Sequence, residues 1–249
     1  ATTTDGGAAI TLTGDFFGPV SSAPQYDSSD VAVQYGPDGA PTKYLALACS
    51  VTIAQTTITC TTASGVGVGL KWLVLISLQS SSNLSTTTAY LPPEISSFET
   101  GNHSFGGIAF TSVQEVDTAG GETIAIKGSN FGPLSTVAVD SISATYGPSA
   151  NTSKYVATSC LVRQMQPENV TVITCDYMPG AGANLQWHVT VGGQTSSAST
   201  QVVRYKTPVV TDISGDGVDS PTPTSGGSSV TLTGTFFGPA GAHIPIVHY

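Results

Sequence analysis

The residues of this chain best suited to chemistry are its four cysteines, which form two pairs. Ten residues separate Cys49 from Cys60, and fourteen separate Cys160 from Cys175. Each pair lies within one copy of an internal repeat, on segments expected to be neighbouring strands, so a local disulfide in each copy is predicted. Buried free thiols and a four-thiolate zinc site are the alternatives, but zinc would need C-x-x-C-type spacing and ligands from both copies.

Asparagines in N-x-Ser/Thr contexts are the second group. Four of the six asparagines qualify: Asn83, Asn102, Asn151 and Asn169. Each falls in or near a predicted turn or loop, where an N-linked glycan can be accommodated. The alternative is that these sequons only reflect the high content of Ser and Thr.

Two Ser/Thr-rich tracts are candidates for O-glycosylation. One contains Thr86, Thr87 and Thr88, and the other, Ser-Pro-Thr-Pro-Thr-Ser, contains Thr222 and Thr224. The composition of the second tract is equally typical of a flexible linker. Sugars on either tract would help to solvate a surface that has few charges.

Groups that could support catalysis or bind metal do not converge in the sequence. The sequence contains no nucleophile elbow, no H-E-x-x-H motif and no phosphate loop. None of the four histidines recurs at the equivalent position of another copy of the repeat. The segment 117–120, Asp-Thr-Ala-Gly, is a faint match to the aspartic-protease signature but lies in a loop. A non-enzyme without cofactor is predicted. Five residues could bind a metal ion but are expected to lie in polar turns or to pack as ordinary side chains: Asp212, Asp216, Asp219, His243 and His248.

Composition narrows the class of partner. Charged residues make up 9% of the chain, with seven Lys plus Arg and a net charge of -9. This balance argues against binding to nucleic acid or to an anionic membrane surface. The most apolar run, 70–78, is too short to span a membrane and contains Lys71. No signal peptide is visible at Ala1, which fits a processed protein or a fragment.

An internal repeat organises these residues. Segments 7–19, 121–133 and 227–239 are three versions of one pattern, and the cysteines, Trp72, Tyr90 and Pro93 have counterparts about 110 to 115 residues later. Three domains are therefore predicted: 1–91, 92–206 and 207–249, the last being only the N-terminal part of a third unit.

Alternating apolar and polar residues predict strands, and no window shows a helical period. In the first copy the expected strands include 31–35, 44–51, 56–62, 70–78 and 86–91. The repeated aromatics Phe17, Phe131, Phe237, Trp72 and Trp187 are expected to fill cores, the alternative for the tryptophans being an exposed platform for carbohydrate. Short strands separated by Gly/Pro turns indicate an all-β fold of immunoglobulin-like sandwiches.

The pattern G-x-x-I-x-L-x-G-x-x-F-G-P, followed by C…T-I-T-C, a G-x-G turn and L-x-W-x-V, resembles the IPT/TIG family of immunoglobulin-like domains. That family opens with a Pro-x-Ile-type strand, which 93–95 and 208–213 resemble. Domain 1 lacks this opening strand, and the third unit has it but stops at Tyr249. The resemblance implies tandem IPT/TIG sandwiches of the extracellular or cell-surface type, since the family's transcription factors need basic DNA-contacting loops.

The function predicted from these features is a non-enzymatic structural glycoprotein of an extracellular filament, cell-surface appendage or matrix. The alternative is an adhesive or receptor-like ectodomain that binds a protein or glycan through its loops. Self-association into a fibre or array is expected. The unaccompanied opening strand in the tail predicts that one chain completes the first sandwich of the next by strand addition, unless the chain is simply part of a longer repeat polypeptide.

Overall fold

The computed structural model of the chain describes residues 1–21, 31–98, 103–105, 108–110, 115–134, 142–165, 170–218, 220–241 and 246–248. Those residues form 21 strands and no helix. The predicted all-β fold class is therefore confirmed. No helix in the described part of the chain is long and apolar enough to cross a membrane.

The first unit is a sandwich of two antiparallel sheets. Its strands are β1 (Ala9–Thr13), β2 (Val31–Gly36), β3 (Tyr44–Leu45), β4 (Leu47–Ile53), β5 (Thr57–Thr61), β6 (Lys71–Ile76) and β7 (Gln79–Ser80). One sheet has the order β1-β5-β4 and the other β3-β2-β6-β7. Alternate residues such as Val33, Ile58 and Trp72 point into the space between the sheets and are almost completely buried.

Two strand predictions for the first unit were wrong. The expected strand 86–91 is not one, because only isolated bridges join Leu70 to Thr88 and Thr2 to Tyr90. The expected strand 44–51 is two strands in different sheets. At the break, the Ala46 N–H donates to the Val33 carbonyl of one sheet, whereas Leu47 pairs with Thr61 of the other. A period-2 pattern does not record which sheet a strand joins.

The second unit repeats this architecture with one additional strand in the first sheet. Its strands are β8 (Glu94–Phe98), β9 (His103–Phe105), β10 (Ile108–Phe110), β11 (Glu115–Val116), β12 (Thr123–Ser129), β13 (Ile142–Gly147), β14 (Tyr155–Val156), β15 (Thr158–Met165), β16 (Val170–Asp176), β17 (Gln186–Val191), β18 (Gln194–Thr195) and β19 (Arg204–Tyr205). The main sheets have the orders β15-β16-β12-β8 and β14-β13-β17-β18. The extra strand β8 is the opening strand, and β1 of the first unit has no such neighbour among the described residues.

The tail hairpin consists of β20 (Val209–Gly215) and β21 (Val230–Thr235), paired antiparallel. Its apolar side chains stay about half exposed, including Ile213 at 48%. The expectation that Phe237 fills a core was wrong, since it is 45% exposed, while Phe17 and Phe131 are buried. The reason is that no second sheet covers the hairpin in the described part of the chain.

Both complete cores are built on a tryptophan stacked on a tyrosine. The ring centroids of Tyr35 and Trp72 lie 4.2 Å apart, and those of Tyr146 and Trp187 also lie 4.2 Å apart. Stacked aromatic pairs add about 0.5 to 1.5 kcal/mol beyond the burial of their area. Because both tryptophans are buried, they cannot act as an exposed platform for carbohydrate.

Candidate functional site

Both cysteine pairs are bonded. Cys49 is joined to Cys60 and Cys160 to Cys175, and no cysteine is free. Each disulfide links neighbouring strands of one sheet, β4 with β5 and β15 with β16. A four-thiolate zinc site is therefore excluded. Among the described residues no group of three or more His, Cys, Asp or Glu could hold a metal ion.

A cluster of tyrosines holds the chain that follows β5. The hydroxyls of Tyr35 and Tyr90 lie 2.7 Å apart, Tyr90 donates to the Ala63 carbonyl, and the Ala63 N–H donates to Tyr35. Tyr44 continues the cluster, because its hydroxyl donates to the Val66 carbonyl at 2.7 Å and accepts from the Val66 N–H. These bonds fix the loop 63–67 on the end of the first sandwich.

The second unit contains the same cluster. The Tyr146 and Tyr205 hydroxyls lie 2.8 Å apart, and Tyr205 donates to the Met178 carbonyl. Tyr155 bonds to both backbone groups of Ala181, the counterpart of Val66. Burial raises the pKa of Tyr90 and Tyr205 well above the ordinary range, and the hydrogen bond from the neighbouring tyrosine adds to the shift. The hydroxyls of Tyr90 and Tyr205 therefore stay protonated at neutral pH.

The loop fixed by this cluster is the contact between the two units. Val66 is only 9% exposed and belongs to the hydrophobic core of the second unit, not to that of the first. A Cβ placed on Gly132 would lie 2.4 Å from Val66 Cγ1, and one placed on Gly192 would lie 2.7 Å from the Gly67 nitrogen. Glycines at both positions are therefore required for this close approach.

Two hydrogen bonds also cross the contact. The Gly132 N–H donates to Thr4 Oγ1 at 3.3 Å, and Gln194 Nε2 donates to the Tyr90 carbonyl at 3.1 Å. Their donors come from the loop after β12 and from β18, and their acceptors come from both ends of the first unit. The contact thus combines apolar packing with polar bonds that fix its orientation.

The candidate glycosylation sites differ in accessibility. Asn83 and Asn151 are exposed, and so are Thr86, Thr87, Thr222 and Thr224. Thr88 is half-buried, and its Oγ1 accepts a hydrogen bond from Trp72 Nε1 at 2.9 Å, so it is the least accessible of these threonines. Asn102 and Asn169 lie outside the described residues.

The remaining polar candidates occupy turns and linkers. Asp117 accepts from the Ala119 N–H and from Lys206 Nζ, each at 3.0 Å, and these bonds lower the pKa of its carboxyl. The Asp-Thr-Ala-Gly segment is thus a turn tied to the linker after β19. His188 Nδ1 lies 3.0 Å from the Ser196 carbonyl oxygen. Asp212, Asp216 and His248 are exposed, and Asp219 and His243 lie outside the described residues.

Sequence reasoning missed the contact between the units. The sequence contains only part of the signal for this contact. Val66 and Ala181 each lie between two glycines, which indicates that another part of the backbone comes close, but the sequence does not identify that part.

The chain was compared with curated protein sequences and with solved structures. No curated protein sequence matches the chain. Among solved structures, the chain is similar to the full extracellular region of Plexin A4, with 12% identity, a TM-score of 0.32, and coverage of 82% of this chain and 17% of that one. It is also similar to FdeC, an adhesin of Escherichia coli, with 14% identity, a TM-score of 0.29, and coverage of 72% and 54%. The chain thus spans less than two thirds of the length of either.

The family comparison concerns the second unit. A model described as the IPT/TIG domain matches residues 109–204, which run from β10 to β19 and include the Cys160–Cys175 disulfide and two tyrosines of the cluster, Tyr146 and Tyr155. The chain therefore carries an IPT/TIG domain at residues 109–204, the family that its sequence predicted.

Proposed function

We propose that this chain is a non-enzymatic structural segment of an extracellular or cell-surface glycoprotein, whose tandem immunoglobulin-like units form a filament, appendage or matrix. The observation that carries the proposal is the contact between the first and second units. Val66 of one unit completes the core of the next, and a binding module on a free linker would not need this. Units joined in this way resist bending at their junction, which suits a load-bearing rod.

The disulfides support the extracellular placement. Disulfides between neighbouring strands persist in oxidising compartments and are rare where glutathione keeps thiols reduced. All four cysteines of this chain are used in this way.

The surface supports the glycoprotein part of the proposal. Asn83 and Asn151 are exposed sequons, and the chain has only 9% charged residues to keep its surface solvated. Glycans at exposed asparagines would supply the hydration that charged side chains provide in other proteins.

Electron microscopy of native material from the source, with mass spectrometry of intact glycopeptides from the same sample, tests this proposal. Ordered fibres with occupied Asn83 or Asn151 are expected. Dispersed particles without sugar would overturn it.

An adhesive or receptor-like ectodomain is the second candidate, favoured by two exposed apolar side chains at one end of the first unit. Phe16 is 88% exposed and Leu78 is 95% exposed. Phe16 lines a cleft of about 150 Å³ with Ile76 and Gln79, which flank the turn that carries Leu78. A bound protein or glycan would cover this apolar surface. Phe16→Ser with Leu78→Ser would abolish ligand capture if this function is correct and leave it unchanged if it is not.

A further inference from the structure

Oppositely charged side chains face each other across the parallel strand pair of the second unit. Arg204 of β19 pairs with Glu115 of β11 and forms a salt bridge with it. At the next position of each chain segment, Lys206 Nζ lies 3.0 Å from Asp117 Oδ2. The chain has only seven Lys plus Arg, and two of them are Arg204 and Lys206. Scarce charges are thus concentrated on one seam, which consists of β11, β19 and the residue that follows each strand.

The backbone of this seam recurs in the first unit, but its charges do not. In the second unit the Lys206 N–H donates to the Val116 carbonyl at 2.8 Å, and in the first unit the Leu91 N–H donates to the Thr2 carbonyl at 2.7 Å. Leu91 is the counterpart of Lys206, so an apolar side chain stands in the first unit where the second has a cation. The backbone pairing therefore belongs to the shared fold, whereas the ion pairs are an addition in the second unit.

The direction of the two strands decides how this seam responds to tension along the chain. Tension pulls β11 toward its N-terminal end and β19 toward its C-terminal end. Because the strands are parallel, the two pulls oppose each other along the strand direction, and the bonds of the seam are sheared together instead of being opened one by one. Strand β8 precedes β11 and pairs with β12 at the edge of the other sheet, so the release of β8 passes the load to β11.

We propose that the seam between β11 and β19 holds the second unit closed under tension, with the Glu115–Arg204 and Asp117–Lys206 ion pairs as ties between its strands. An exposed ion pair adds little to stability at equilibrium, because water competes for both partners. Under shear, however, the ties must break in the same step as the backbone bonds, so they slow the opening of the unit. This inference rests on the proposed structural function and identifies the residues that bear its load.

Single-molecule force spectroscopy on the disulfide-intact full chain, tethered at its two ends, tests the proposal. The lifetime of the second unit at constant force is expected to fall about threefold in Arg204→Gln. The charge swap Glu115→Arg with Arg204→Glu is expected to restore the lifetime, because the ion pair forms again with its partners exchanged. The side chains of Arg204 and Glu115 are 56% and 46% exposed, so these substitutions spare the core, which circular dichroism checks.

The matched control removes an arginine from a strand pair that tension does not shear. Arg163 Nε donates to Thr174 Oγ1 at 3.2 Å across the antiparallel pair of β15 and β16, which the disulfide of the second unit already ties together. Arg163→Gln is expected to leave the lifetime under force unchanged. A reducing agent identifies the unit that opens, since the released chain then lengthens by about 50 Å for the second unit, whose cysteines are 15 residues apart, and by about 35 Å for the first, whose cysteines are 11 apart.

Urea unfolding separates resistance to tension from ordinary stability. Arg204→Gln and Arg163→Gln are expected to lower the urea midpoint by similarly small amounts, although only Arg204→Gln shortens the lifetime under force. An unchanged lifetime in Arg204→Gln, an equally shortened one in Arg163→Gln, or a charge swap that fails to restore the lifetime would overturn the proposal. If native material still forms glycosylated fibres in that case, the proposed function survives and only the assignment of its load to this seam is lost.

Discussion

Shortening the Val66 side chain at the contact between the units is expected to destabilise the second unit. Val66→Ala removes two methyl groups from a side chain that is 91% shielded from solvent in the core of the second unit. At about 0.8 kcal/mol for each buried carbon, the loss is about 1.6 kcal/mol. The cavity left behind raises the expected loss to about 2 kcal/mol, because the glycines around it have no side chains to fill the space.

Urea unfolding measures this loss. Each complete unit contains one tryptophan, and both are buried, so their fluorescence reports on the two sandwiches. The free energy of unfolding of the second unit is expected to fall by about 2 kcal/mol in Val66→Ala. Val68→Ala is the matched control, since Val68 lies in the same loop and is 53% exposed, and its effect is expected to stay below about 0.5 kcal/mol. Equal effects of the two substitutions would refute the reasoning.

A double-mutant cycle tests which atoms make the contact. Gly132→Ala would place a Cβ 2.4 Å from Val66 Cγ1 and force alanine to adopt a φ of 85°, which by itself costs about 1 to 2 kcal/mol. In the Val66→Ala background the colliding methyl group is gone and only the backbone strain remains. The double variant is therefore expected to lose about 1 kcal/mol less than the sum of the single variants. Additive losses would show that Val66 does not pack against Gly132.

Three further predictions concern the tyrosine clusters and the disulfides. Tyr205→Phe removes the shorter of two hydrogen bonds to the Met178 carbonyl, which keeps its bond from the Tyr146 hydroxyl at 3.3 Å, and is expected to cost about 1 kcal/mol in urea unfolding. Tyr177→Phe removes a buried hydroxyl that has no hydrogen-bond partner and is expected to be close to neutral. Burial raises the pKa of Tyr90 and Tyr205 above the ordinary value of 10.0, so the unfolded chain loses these protons first. The stabilisation that comes from this pKa difference is fully present below pH 10 and is lost as the pH rises above it. A free energy of unfolding that stays constant from pH 8 to 12 would contradict this prediction. Replacing Cys160 and Cys175 by serine removes a cross-link between residues 15 apart in the sequence and should lower the free energy of unfolding by about 3 kcal/mol. Replacing Cys49 and Cys60 opens a shorter loop, of 11 residues, and should lower it by less. The reverse order in urea unfolding would argue against loop entropy as the cause.

Local pattern was sufficient to predict the sandwich architecture. Alternation predicted β2 and β6, because their inward residues are buried against the opposite sheet and their outward residues are not. The same rule failed at 44–51, where the N–H of Ala46 bonds to one sheet and the next residue joins the other. It also failed at 86–91, where the backbone makes isolated bridges and Thr88 and Tyr90 use their side chains for hydrogen bonds instead. Such choices are tertiary, and a linear pattern does not contain them.

The candidate site was less predictable, because its contacts join distant parts of the sequence. Thr4 bonds to Gly132 across 128 residues, and Gln194 bonds to Tyr90 across 104. Val66 and Ala181 occupy equivalent loops held by equivalent tyrosines, but only the position of the neighbouring unit turns Val66 into a core residue. A repeat reveals equivalent positions, and what each position packs against is set by its neighbours in space.

Phe237 shows the same dependence of packing on neighbours. It follows the same motif as Phe131, yet Phe131 is 2% exposed and Phe237 45%. The local backbone is alike in both, since the preceding residues Asn130 and Phe236 have φ of 59° and 62° and the following glycines 85° and 88°. The local sequence therefore sets the turn, whereas burial requires the opposite sheet. The tail hairpin consequently exposes apolar side chains whose counterparts in the second unit are buried: Val230 is 50% exposed, whereas Ile124 is completely buried.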